Sequence, residues 1–176
     1  MAVLDAQPDT TNFLSPVGFR FSLKRAPTLT YFTKGVSLPG INLGEIPLQN
    51  PFVKIPQPGD KLAFDPITLR FGVDENLKNY QEIYDWMVGL GFPESYAQSK
   101  HPQIDRQDFT DKADIVSDGT LTVLTSGMNP NVQFVFEDMF PVALSTLPFS
   151  HDQADIEYME CDVTFTYRNF VLNPVL

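Results

Sequence analysis

The chain has one cysteine, one tryptophan and two histidines in 176 residues. A single thiol, Cys161, excludes an internal disulfide. It lies in a strand-like run and reads as a small buried hydrophobe. Charged residues make up only 19%, against about 25% in an ordinary globular protein. No stretch approaches the roughly 18 apolar residues that would span a bilayer. The start, Met1-Ala2-Val3-Leu4-Asp5, lacks the basic segment and apolar run of a signal peptide. The expectation is a soluble protein made in a reducing cytoplasm, with no membrane anchor.

Catalytic signatures are equally sparse. The sequence holds no glycine-rich phosphate loop and no Gly-x-Ser-x-Gly elbow. His101 precedes Pro102 in a charged, aperiodic stretch, a poor place for a rigid acid or base. His151-Asp152 has Asp155 and Glu157 nearby, but no second histidine or thiol at ligand spacing. It also lacks the ladder and closing Glu of a calcium loop, so it reads as a solvated turn. Cys161 stands ten residues after His151 with nothing to orient the imidazole. Pairs such as Glu137-Asp138 or Asp152 with Asp155 are commonplace in an acidic chain and do not point to glycosidase chemistry. We expect no catalytic residue, no cofactor and no metal site.

Charge is uneven. Residues 1–55 hold five bases and three acids, a balance of +2, while the rest hold 19 acids and 7 bases, giving −12 and a total of −10. Such asymmetry suits head-to-tail contacts between copies, and equally serves ordinary solubility. Tight nucleic-acid binding needs a basic patch that is missing.

What the chain has in abundance is phenylalanine and proline, fifteen of each. Five prolines, at 39, 47, 51, 56 and 58, fall within residues 38–60. They forbid a helix and fit poorly in a central strand. Among them stand Ile41, Leu43, Ile46, Leu48, Phe52, Val53 and Ile55, too many apolar residues for a solvated loop. An extended hairpin arm over about 40–56, with limbs Ile41 to Leu48 and Phe52 to Ile55 around Asn50-Pro51, satisfies both constraints if another subunit covers it. Those seven residues are the expected inter-subunit interface.

By length the chain is one domain, 1–176. Residues 1–15 read as a flexible or docking arm. Val17, Phe19, Phe21 and Leu23 alternate with polar residues as a half-buried strand, broken at Ala26-Pro27. A second strand is expected over Leu29 to Leu38. Ile67, Leu69, Phe71 and Val73 alternate most clearly. The one amphipathic helix, about 75–90, carries Leu77, Tyr80, Ile83, Tyr84, Met87 and Val88 on one stripe, with Asp74 or Asn76 as its cap. Residues 92–114 form a charged surface loop. Asp118-Gly119 predicts a hairpin turn and Ser126-Gly127-Met128-Asn129-Pro130 another. The last strand is expected from Ile156 to Leu172, with a bulge near Met159. Strands, one helix and more strands, without βαβ alternation, predict a mainly β fold: an antiparallel barrel or sandwich.

The ordered features Leu23-Lys24-Arg25, Leu38-Pro39-Gly40-Ile41, Pro58-Gly59-Asp60, Asp74-Glu75-Asn76, Tyr84-Asp85-Trp86-Met87, Phe140-Pro141 and Val163-Thr164-Phe165-Thr166-Tyr167 resemble the tail tube proteins of contractile-tailed bacteriophages over about residues 13–172. The resemblance implies a β-barrel subunit that forms six-membered rings, stacked into a hollow tube inside a contractile sheath, through which DNA passes without tight binding. It implies partners: the chain itself, the sheath protein, and baseplate and tail-terminator proteins. It places the protein in the virion tail, assembled in the host cytoplasm, and implies no catalysis. Glu160, Asp162, Thr164 and Thr166 share one polar strand face. In this frame they face the lumen, or else solvent or a neighbouring ring. The readings that stay open are a tube initiator or tail-end protein of the same fold, a secretion-system tube protein and, in a different class, a small ligand-binding barrel or hydrolase. The last would need a concave pocket with convergent polar groups.

Overall fold

A computed structural model describes residues 12–91, 93, 115–151 and 158–174. The strands are β1 (Phe19–Leu23), β2 (Thr33–Ser37), β3 (Ile41–Leu48), β4 (Ile55–Phe64), β5 (Ile67–Gly72), β6 (Ser117–Leu124), β7 (Pro130–Leu144), β8 (Glu160–Thr166) and β9 (Asn169–Pro174). The helices are α1 (Pro27–Phe32) and α2 (Lys78–Gly91). All strand pairs are antiparallel. The fold is mainly β and antiparallel, as expected.

Neighbouring strands run β1-β6-β7-β8-β5-β2, with β9 added beside β7. The fifteen-residue β7 belongs to both halves. Its first part, Val132 to Glu137, pairs with β9, and Phe140 to Leu144 pair with β8. Between them Asp138 takes φ 55°, which bends the strand so that the two halves face each other as a sandwich. Alternation then points Phe21, Leu121 and Phe136 inward from one half and Leu69, Phe71, Val163 and Phe165 from the other. Ile83 and Trp86 of α2 and Leu29 of α1 complete this core.

Several expectations are corrected. The strand predicted over Leu29 to Leu38 begins only at Thr33, and a second helix, α1, precedes it. Pro27 supplies the fixed φ of a first helical turn, and the helix turns Leu29 fully inward. Val17 lies before β1 and is exposed. Asp118-Gly119 is no hairpin turn: β6 runs straight through it, with a register shift opposite the β7 bend. An added Cβ at Gly119 would collide with the Met139 sulfur, so that glycine serves close packing rather than a turn. The last strand is divided by a corner at Tyr167-Arg168 into β8 and β9. The start predicted for it at Ile156 lies outside the described residues, as do residues 1–11 of the arm and all of 92–114 except Pro93.

Helix α2 starts three residues later than expected. Its entry is fixed by Asn79, which is fully buried. Asn79 Nδ2 donates to the Gly72 carbonyl at 2.8 Å, and its Oδ1 accepts from Asp74 N and Tyr80 N. One amide thereby satisfies backbone groups at both the end of β5 and the start of the helix.

Candidate functional site: an exposed hairpin and a polar sheet face

Strands β3 and β4 form a separate two-stranded ribbon. The first limb matches the expected Ile41 to Leu48. The second is longer and later than expected: it begins at Ile55 and runs to Phe64. Phe52 and Val53 belong to the tip instead, where Asn50 Oδ1 accepts from Phe52 N at 3.2 Å in an Asx turn. The prolines are accommodated because, among the described residues, no further strand flanks this ribbon. Pro47 and Pro56 stand opposite each other, a pairing the ladder tolerates where the missing N–H groups would face outward, away from the partner strand.

Every residue of β3 is exposed. Ile46 retains 57% of its free surface, Leu48 49% and Phe52 96%. Ile41, Leu43, Val53 and Ile55 are exposed as well. All seven expected interface residues are therefore accessible on one projecting element.

The ribbon is fastened at its base. Asp65 N donates to Gly40 O at 3.0 Å, and Tyr167 Oη donates to Asp65 O at 2.8 Å. The Phe64 ring meets Tyr167 and Phe170 at centroid distances of 6.1 and 5.5 Å. Phe136 packs edge-on to Tyr167 at 5.1 Å. Burial, with the Asp65 charge adding to it, pushes the Tyr167 hydroxyl up to about 12, so it remains a donor throughout the neutral range.

The second candidate is the outer face of β2, β5 and β8. Alternation in β8 holds as expected: Cys161, Val163 and Phe165 are buried, and Glu160, Asp162, Thr164 and Thr166 lie on the opposite face. The two acids are not free anions. Arg70 lies directly opposite Asp162, with Nε to Oδ1 at 3.0 Å and Nη2 to Oδ2 at 3.4 Å. Lys34 Nζ reaches Glu160 Oε1 at 2.9 Å. Asp162, then Glu160, raise the Arg70 pKa further. Two bases thus offset two acids, and the remaining residues of the face are small and polar: Ser37, Thr68 and Thr164 lie in one cross-strand row. Lys34 and Arg70 were not anticipated from sequence. Their positions on β2 and β5 could have been noticed, but which strands flank β8 could not.

Cys161 is buried, and burial pushes its thiol pKa up, partly countered by hydrogen bonding with the Ser145 hydroxyl and carbonyl. His151 is exposed, and Asp152, Asp155, Glu157 and His101 lie outside the described residues.

Comparison with known proteins is consistent across sequence and structure. The chain is 27% identical over 173 residues to the tail tube terminator protein of Enterobacteria phage T4, covering 93% of this chain and 88% of that one. Its fold is similar to the tube-terminating cap of the anti-feeding prophage, with a TM-score of 0.61, 17% identity and coverage of 99% and 100%. It is also similar to a chain of the sheath–tube complex of an extracellular contractile injection system in the extended state, with a TM-score of 0.58, 14% identity and coverage of 99% of each chain. The model of the phage tail tube protein family matches residues 6–173, so the chain belongs to that family.

Proposed function

We propose that this protein is a structural subunit at the end of a contractile tail's tube, where a ring of its copies seats on the last tube ring and stops tube growth. The observation that carries this reading is the likeness to the T4 tail tube terminator along nearly the whole chain. The exposed hairpin supports it physically. If neighbours cover about half of its apolar surface, burial at roughly 25 cal/mol per Å² contributes several kcal/mol per contact.

In this reading six copies form a ring around a channel for DNA, the sheath or its terminator binds outside, and the protein resides in the virion tail after assembly in the host cytoplasm. The whole chain acts as one ring-forming unit. The face bearing Glu160, Asp162, Thr164 and Thr166 lines the channel. Its charge balance and small hydroxyl side chains suit passage, since a face without free cations has little to hold a phosphate backbone.

A second reading is a subunit repeated along the tube. The family model favours it, being that of tail tube proteins as a class. Electron microscopy of the purified protein, alone and mixed with preassembled tubes, separates the two. A terminator gives single rings, and decorates tube ends while arresting their elongation. A repeated subunit gives long tubes by itself. A compact monomer that neither assembles nor binds tubes would overturn both.

A further inference from the structure

Two segments pass from one half of the sandwich to the other, and they pass side by side. Strand β7 does so at Asp138, and the corner between β8 and β9 does so at Tyr167-Arg168. Their residues meet in order. Phe136 packs on Tyr167, and Glu137 and Asp138 meet Arg168. Arg168 N donates to Glu137 O at 3.0 Å. The guanidinium spans both acids, with Nη2 2.7 Å from Glu137 Oε2 and Nε 3.2 Å from Asp138 Oδ2. From β6, Asp118 Oδ1 accepts from Asp138 N at 3.3 Å.

The backbone between these contacts is unusual. Asp138 has φ 55°, in the left-handed region that a residue with a side chain enters at a cost. Among the described residues it has no partner in the ladders with β6, β8 or β9. The ties that reach it come instead from two side chains, Asp118 and Arg168. On the other side of the bend Met139 is fully buried against Gly119.

We propose that this bend is a two-position hinge and that Arg168 is its latch. With the latch closed, Asp138 is kept left-handed. With it open, Asp138 returns to the ordinary negative φ, and the second half of β7 turns relative to the first. A single residue at the end of an element is enough to absorb such a change. Arg168 is 65% exposed, so the latch opens without unfolding the core, and the packing of Met139 limits the swing. The movement reaches the hairpin. Phe136 carries it to Tyr167, whose hydroxyl holds Asp65 O at the hairpin root. Arg168 is thus a positioning residue for the hairpin, although it touches no part of it.

Hydrogen exchange of the full chain, read residue by residue, tests this. Arg168→Gln should speed exchange several-fold at Asp138 N–H and at Asp65 N–H, while the core amides of Leu69 and Val163 stay slow. Arg168→Lys keeps the charge but cannot span both acids, and should fall between. Glycine rests in the left-handed region without strain, so adding Asp138→Gly to Arg168→Gln should slow Asp65 N–H again. Unchanged exchange at both amides in Arg168→Gln overturns the latch. A change at Asp138 alone overturns the link to the hairpin. Exchange that rises throughout the core, or an Asp65 N–H that Asp138→Gly does not slow, overturns the two-position hinge and leaves Arg168 an ordinary surface ion pair.

Discussion

Tyr167 and Asp65 are 102 residues apart in sequence, and their side-chain hydroxyl and backbone carbonyl meet at 2.8 Å. That bond joins the end of β8 to the root of the hairpin, beside Phe64, Phe136 and Phe170. The hairpin's direction is set there, since the rest of the ribbon is exposed.

Tyr167→Phe should keep the ring packing and lose the bond. The expected cost is about 1 kcal/mol in denaturant unfolding, with faster hydrogen exchange at Asp65 N–H, the group bonded to Gly40 O. Unchanged exchange at that amide would show that the aromatic cluster alone fixes the root.

The same hydroxyl gives an alkaline signature. Its folded pKa of about 12 lies above the ordinary value of 10, so the native state holds the proton more tightly. The stabilisation is complete below pH 10 and is lost as pH rises from 10 to 12. Thermal melts over that window should fall more steeply for the native protein than for Tyr167→Phe.

The hairpin residues should separate assembly from folding. Ile46→Asp or Phe52→Asp is expected to block ring or tube formation by sedimentation while circular dichroism and the melting temperature stay native. Global unfolding of either variant would place the ribbon among the elements that hold the fold together.

Charge reversal on the polar face is a separate test. Glu160→Lys with Asp162→Lys leaves Lys34 and Arg70 unpaired and makes the face strongly basic. The monomer should fold normally, because exposed ion pairs contribute little. Phage carrying the change should deliver DNA poorly. Intact delivery and assembly together would remove this face from the channel.

Gly119→Ala should destabilise the body by about 1–3 kcal/mol through overpacking, because the new methyl meets Met139 and Phe21. Gly44→Ala meets nothing within 4 Å and should melt like the parent.

The parts legible in the sequence were those governed by local periodicity. The alternation Ile67, Leu69, Phe71 gave β5, and Cys161, Val163, Phe165 gave the buried face of β8. The stripe Leu77, Tyr80, Ile83, Tyr84, Met87 and Val88 was enough to find α2, but it misplaced part of the buried face: Leu77 and Tyr84 are exposed, and Trp86, outside the stripe, is buried. The seven hairpin residues could be picked out because proline and aliphatic side chains together satisfy neither a helix nor a loop. What failed depended on distant partners. Asp118-Gly119 carries turn chemistry, yet the bend of β7 opposite it at Asp138 draws the pair into a strand. Leu29 and Tyr31 have the spacing of a strand, but Pro27 and the slot beside α2 favour one helical turn. The acids Glu160 and Asp162 read as open charge because nothing local to β8 shows that Lys34 and Arg70 face them across two strands.

The shared strand β7 has a mechanical consequence. One covalent backbone runs from the β6–β9 half into the β8 half, and its bend is stapled by Arg168, which reaches Glu137 at 2.7 Å and Asp138 at 3.2 Å. An axial load on either half therefore travels along peptide bonds and across several ladders at once, in shear. It does not have to pass through a flexible connector. A load applied to either half of such a subunit is shared by both, and the hairpin, tied on at its root, is the element outside that shared framework.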